Sequence, residues 1–241
     1  MNRDRIIVLM HIYYKNSYDE LKGYLLNLKQ EQISIVFKID CSDEQGIFKQ
    51  ITEDFPSAFI IQSPNVGKDI GGKLAMIDLC LRLNLQSDYF ILLHDKKSPH
   101  STLGDVWRNK LLKIIEPDNI IRIKKIFEQN EKVGVIGTKE FISNEYDRSI
   151  DKFESTNNEI LKMLIQKYQL NLNTYDFIGG TMFWIRAKVI YTFFSKHAPL
   201  EIFSTLEKGN VLDGEKGTLT HAWERMLSWI STDQGYKIKG I

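Results

Sequence analysis

Cysteine is scarce in this chain: two residues in 241, Cys41 and Cys80, with no metal-ligand spacing between them. That excludes a disulfide framework and a cysteine-based zinc site, and it implies free, reduced thiols. Charge of one sign is missing as well. Thirty-two basic residues against 31 acidic ones leave a formal net charge of +1. The strongly basic surface behind non-specific nucleic-acid binding is absent, so no nucleic-acid partner is expected. Long apolar runs are missing too. The apolar stretch 6–10 near the N-terminus is too short for a signal peptide or a membrane span. A cytoplasmic protein is expected, with peripheral association at the inner face of the cell membrane left open. There are no internal repeats and no low-complexity tracts.

What is present is the make-up of an ordinary globular protein, 43% hydrophobic and 26% charged, long enough to bury a core without staples. Short apolar runs at 6–10, 33–39, 59–61, 89–93 and 133–137 read as strands. Between them lie stretches with apolar residues three and four apart, such as Leu21, Tyr24, Leu25 and Leu28, which read as amphipathic helices. Further helices are expected over 45–54, 107–115, 119–129 and 221–230, and one is led by Leu74 and Ile77. Residues 64–72 read as a glycine-bearing turn, and 177–186 as a strand whose paired glycines admit close approach. Residues 141–171 read as a helical insertion over the sheet edge, its apolar face carrying Ile160, Leu161, Leu164, Ile165 and Tyr168. Strands alternating with helices imply α/β architecture in a single domain, with parallel pairing through right-handed crossovers.

In an open α/β sheet, ligands bind at the carboxyl ends of the strands. The ionisable residues there are the first candidates. The run 89–93 leads directly into His94-Asp95-Lys96-Lys97-Ser98. Asp95 suits a divalent cation or a ribose hydroxyl, and His94 suits a metal, a phosphate or Asp95 itself. Lys96 and Lys97 supply positive charge that would stabilise a departing diphosphate. The plainer alternative is a solvated strand end with charges of both signs.

Asp40 and Asp43 follow the second strand, placed either to hold a base and ribose or to cap the next helix. The segment Asn65-Val66-Gly67-Lys68-Asp69-Ile70-Gly71-Gly72 lacks both the P-loop and the dinucleotide-fold glycine spacings. A tight turn and a phosphate contact are both open for it. His221 and Glu224 are three apart and share a helix face. Either can serve as a general base, while Glu224 can instead pair with Arg225. Aromatic residues at Phe183, Trp184 and Trp223 are more often core than sugar platforms.

Four ordered blocks carry a resemblance. They are Pro64-Asn65-Val66-Gly67-Lys68-Asp69, His94-Asp95-Lys96-Lys97-Ser98, Gly180-Thr181-Met182-Phe183-Trp184-Ile185-Arg186, and Gly217-Thr218-Leu219-Thr220-His221-Ala222-Trp223-Glu224-Arg225. With His11-Ile12-Tyr13-Tyr14 at the first strand end, they resemble the rhamnan synthesis protein F family of bacterial polysaccharide glycosyltransferases.

The resemblance implies a GT-A-like, Rossmann-type mixed and mostly parallel sheet flanked by helices. It implies a nucleotide-sugar half over 1–100 and an acceptor-facing half over 101–241. It implies an inverting enzyme that takes dTDP-L-rhamnose or a UDP-sugar and a glycan or lipid-linked glycan acceptor. On that reading His11, Asp40, Asp43, Asn65, Gly67, Lys68, Asp69, His94, Asp95 and Lys97 hold the donor. Lys96 supports the leaving group, Glu224 or His221 activates the acceptor, and Gly180, Thr181 and Trp184 border it.

One departure stands out. Lys96 occupies the place where the related family-2 enzymes carry the second carboxylate of a metal-binding Asp-x-Asp. Mg²⁺ or Mn²⁺ at Asp95 stays an alternative, but such ions want several oxygen ligands, so weak or absent metal dependence is expected. Two rival readings remain. One is a non-catalytic carbohydrate- or nucleotide-binding module, which gains from the missing carboxylate. The other is a nucleotidyltransferase, against which Lys96 counts.

Overall fold

The computed structural model describes residues 4–28, 31–40, 46–95 and 104–241, apart from the side chains of Lys15, Gly104 and Asp105. Seven strands form the main sheet: β1 (Arg5–Ile12), β2 (Gln32–Asp40), β3 (Phe59–Ser63), β4 (Tyr89–His94), β5 (Val133–Gly137), β6 (Phe183–Arg186) and β7 (Lys237–Gly240). Their order across the sheet is β7-β5-β6-β4-β1-β2-β3. All neighbouring pairs are parallel except those of β6, which runs antiparallel to both β4 and β5. The α/β expectation of a mixed, mostly parallel sheet flanked by helices is what the chain adopts.

The apolar content of the strands fits their places in the sheet. β1 and β4 carry nearly unbroken apolar runs and are buried along almost their whole length, as strands covered on both faces must be. β3, half-buried except at the exposed Gln62, takes one edge. Alternate side chains feed two cores. Ile7, Leu9, Phe90 and Leu92 join one face, and Ile6, Val8, Ile91 and Leu93 the other.

The helices are α1 (Tyr18–Leu26), α2 (Gly46–Asp54), α3 (Lys68–Arg82), α4 (Gly104–Leu112), α5 (Pro117–Gln129), α6 (Asn158–Lys167), α7 (Ala187–Phe194), α8 (Pro199–Thr205) and α9 (Leu219–Asp233). Within 141–171, short antiparallel pairings join Ile142–Ser143 to Phe177–Ile178 and Tyr146–Asp147 to Lys152–Phe153. Leu161 and Leu164 of α6 share one core with Trp223 and Trp229 of α9.

Two expectations need correcting. The glycine-bearing turn ends sooner than 72: α3 begins at Lys68, so Gly71 and Gly72 are helical and buried. Residues 177–186 are not one strand either. Phe177–Ile178 and β6 are separated by a turn in which Gly180 (φ 80°) and Thr181 (φ 48°) take left-handed backbone, which strand pairing does not permit.

Candidate functional site

A cavity of about 460 Å³ opens at the carboxyl ends of β1 and β4. Its other walls are the first turn of α3, the 179–181 turn, Asn210 and Leu212 from the segment between α8 and α9, and the first turns of α9.

The floor starts from strand register. His11 and His94 are direct neighbours in the β1–β4 pairing, and the Asp95 N–H donates to the His11 carbonyl at 3.0 Å. Asp95 is 4% exposed. Its Oδ2 accepts the backbone N–H of Tyr13 at 2.8 Å and that of Tyr14. The carboxylate thus ties the chain leaving β1 to the end of β4. His11 is buried, and a Cβ built on Gly72 would lie 2.0 Å from its Nδ1. The glycine is there so that the imidazole can lie against the helix backbone. Burial, reinforced by the charges of Lys38 and Lys73, pushes the His11 pKa down to about 3, so the ring is neutral.

Gly67 caps α3 in left-handed conformation at φ 66°, which spares a Cβ clash. Its N–H donates to the Glu207 carbonyl at 2.7 Å. The turn after it projects Lys68 and Asp69 into the cavity. Behind Asp69 lies Lys73, whose side chain is 0% exposed. The Lys73 ammonium donates to Asp69 Oδ2 at 2.6 Å, to Thr181 Oγ1 at 2.5 Å, and contacts His94 Nδ1 at 3.3 Å. The Thr181 hydroxyl in turn donates to Asp69 Oδ2 at 2.5 Å. Burial would raise the Asp69 pKa, but the neighbouring Lys73 charge, with His94 and the two hydrogen bonds, holds it well below the carboxylate range.

The opposite wall belongs to α9. Thr218 caps that helix by accepting the His221 N–H at 3.1 Å. Glu207 receives the N–H groups of Leu219 and Thr220 at 2.6 and 2.9 Å. His221 Nδ1 lies 2.5 Å from Thr218 Oγ1 and 3.6 Å from Asp213 Oδ1. The carboxylate favours a proton on Nδ1, which turns the Nε2 lone pair outward. Burial lowers the His221 pKa, and Asp213 only partly offsets this, so the ring is a neutral base. Glu224 Oε1 accepts the Gly180 N–H at 2.7 Å, and Oε2 pairs with Arg225 at 3.2 Å. At the rim, Asn65 donates to Asn210 at 3.0 Å and Asn210 to the Tyr13 hydroxyl at 3.3 Å.

The cavity brings together His11, Asn65, Lys68, Asp69, His94, Asp95, Gly180, Thr181, His221 and Glu224. Asp43, Lys96 and Lys97 lie outside the described residues. Asp40 ends β2 opposite Ser63 and does not line the cavity. Gly67 is spent on the helix cap. Trp184 does not border an acceptor: it is fully buried, its indole N–H donates to the Ile114 carbonyl at 2.9 Å, and it packs in the core. Sequence reasoning missed Lys73, Tyr13, Tyr14, Asn210, Leu212 and Thr220. Tyr13, Tyr14 and Thr220 lie in the blocks that carry the resemblance but without an assigned role, and Lys73 had left a signal of its own, a lysine four residues after Asp69 within the apolar stripe of a helix.

The described donors do not assemble a divalent-cation site. Asp69 is neutralised by an ammonium, and Asp95 Oδ2 is occupied by amides. Among the described residues no three His, Cys, Asp or Glu side chains gather as metal ligands.

The family model described as "Rhamnan synthesis protein F" matches residues 1–236. "Uncharacterized protein WxcX" of Xanthomonas campestris pv. campestris, from strains B100 and ATCC 33913, is 24% identical over 237 residues. That covers 97% of this chain and 32% of each relative, so the chain spans about a third of their length. A crystal structure of 4-diphosphocytidyl-2C-methyl-D-erythritol synthase aligns over 94% of this chain and 97% of that one. At 11% identity and a TM-score of 0.40, that likeness is too distant to bear on function.

Proposed function

The chain belongs to the rhamnan synthesis protein F family, and from that premise we propose that it is a nucleotide-sugar-dependent glycosyltransferase of GT-A type. Its reaction moves a sugar, with L-rhamnose from dTDP-L-rhamnose as the first choice of donor, to a bacterial cell-surface glycan or its lipid-linked precursor. The observation that carries the reading is the meeting of two chemistries in one cavity. Lys68 and Asp69, at the start of α3, suit a diphosphate and a sugar hydroxyl, and His221 with Glu224 suits activation of an acceptor hydroxyl.

His221 is the better base of the two. It is neutral, and its Nδ1 side is oriented by Thr218 and Asp213. Both oxygens of Glu224 are engaged by Gly180 and Arg225, which suits a group that holds the 179–181 turn against α9. In-line attack from the α9 side would invert the anomeric carbon. Cationic side chains, Lys68 foremost, would neutralise the leaving diphosphate in place of a divalent ion.

Hydrolysis of a panel of nucleotide sugars, dTDP-L-rhamnose and UDP-sugars included, tests this. One donor is expected to turn over, and His221→Asn to lower kcat by at least about a hundredfold. The engagement of both Glu224 oxygens favours a second reading, a non-catalytic binding module. Nucleotide binding without turnover, acceptor glycans present, would decide for it.

A further inference from the structure

We propose that Lys73 is a positioning residue that makes His94 a hydrogen-bond donor to the ligand, by standing between His94 and Asp69 and holding the imidazole as its Nε2–H tautomer. The geometry is unusual in one respect. His94 Nδ1 lies 3.5 Å from Asp69 Oδ2, close to the pairing in which a carboxylate takes the Nδ1 proton and leaves Nε2 basic. The Lys73 ammonium sits against both groups, 2.6 Å from the carboxylate and 3.3 Å from Nδ1.

An ammonium has three N–H donors and no acceptor. Facing it, Nδ1 must offer its lone pair, and the ring proton must then be on Nε2. The Lys73 ammonium faces three acceptors among the described residues, Asp69, Thr181 and His94, and Lys73 has no exposed side-chain surface. Lys73 therefore acts through its neighbours rather than on a ligand. Lys73 and Asp69 face the Nδ1 edge of His94, and the ring lines the cavity, so Nε2–H is the edge that a ligand in the cavity would meet. Asp69 is arranged in the opposite sense. Both its hydrogen bonds fall on Oδ2, yet its side chain keeps 21% exposure, which leaves an ionised carboxylate edge facing the cavity.

The contrast with His221 gives the arrangement its sense. There Nδ1 faces the Thr218 hydroxyl at 2.5 Å with the Asp213 carboxylate at 3.6 Å behind it, surroundings that favour a proton on Nδ1 and leave the other nitrogen to accept. At His94 the Nδ1 neighbour is an ammonium, and the outward nitrogen donates. One cavity thus holds a proton-accepting imidazole on α9 and a proton-donating one on β4. A donor there suits an anionic oxygen, such as that of a departing diphosphate, and Asp69 beside it suits a sugar or ribose hydroxyl. This ligand assignment rests on the nucleotide-sugar reading, whereas the tautomer does not.

Long-range ¹H–¹⁵N NMR of the full chain at neutral pH reads the tautomer, with His94 assigned by its loss in His94→Gln. In the unmodified protein His94 is expected to show a protonated Nε2 and an unprotonated Nδ1. In Lys73→Met the proton is expected to move to Nδ1, towards Asp69. A protonated Nδ1 in the unmodified protein would overturn the inference with no variant needed. So would Lys73→Met that stays folded and keeps the Nε2–H form. For the ligand role, dTDP and UDP titrated into each protein are expected to bind about tenfold more weakly after Lys73→Met and after His94→Gln, and no weaker in the double variant. Additive losses would remove the link between the two residues. The expected tautomer in a protein that binds neither nucleotide would count against the proposed function alone.

Discussion

At the scale of the residue, the burial of His11 has a consequence in solution. Its pKa falls from the ordinary 6.5 to about 3 in the folded protein. The unfolded chain therefore binds a proton between those values that the folded chain refuses, and stability falls as pH drops from 6.5 towards 3. Urea unfolding at pH 7.5 and pH 4.5 should show a loss of roughly 2–3 kcal/mol from this group alone. His11→Phe should lack that share of the pH dependence while keeping the ring against Gly72. An unchanged acid sensitivity in the variant would place the titration elsewhere. His11, His94 and Asp95 were legible in the sequence because polar residues at the ends of apolar strands are conspicuous. Lys73 was not, because one lysine inside a helical stripe looks like a solvated neighbour until tertiary contacts bury it.

At the scale of the element, α3 is the piece whose start the pattern misplaced. The glycines of Lys68-Asp69-Ile70-Gly71-Gly72 have poor helix propensity, so composition favours a turn. Packing reverses that preference. A Cβ at Gly71 would meet the Val66 carbonyl at 1.9 Å, and one at Gly72 would meet His11. The helix can approach β1 and its own entry turn only without those side chains. Gly72→Ala should therefore destabilise the protein by about 1–3 kcal/mol, even though alanine is intrinsically the better helix former by about 1 kcal/mol. Gly23 in α1 has nothing within 4 Å of an added Cβ, and Gly23→Ala should stabilise by up to about 1 kcal/mol. Urea midpoints of the two variants should move in opposite directions. A shared direction would mean that propensity, not the contact with His11, governs position 72.

At the scale of the whole molecule, the cavity draws on both ends of the chain. His11 and Asp69 come from its first third, and Glu224 from its last helix. If the proposed function holds, Lys68 faces the donor's diphosphate while Asp69 is paired with Lys73 and Asp95 with backbone amides, so donor turnover should survive EDTA with less than about a twofold loss. A collapse of turnover restored by Mn²⁺ would show that a cation site forms from residues beyond those described here. Among the described residues no helix is long and apolar enough to cross a membrane. The amino-acid sequence by itself placed β1 to β5, α1, α2, α5 and the bodies of α3, α4, α6 and α9, because apolar period and run length are local properties; it left α7, α8 and β7 unmarked. It also determined the α/β class, since strands alternating with helices leave few other ways to bury both sheet faces. The ordered blocks that carry the family resemblance are likewise local. The antiparallel insertion of β6, the core position of Trp184 and the coupling of Asp69, Lys73, Thr181 and His94 were decided only by the tertiary structure. Each depends on contacts between residues up to 112 positions apart, and such contacts form only when the sheet order brings those residues to one place.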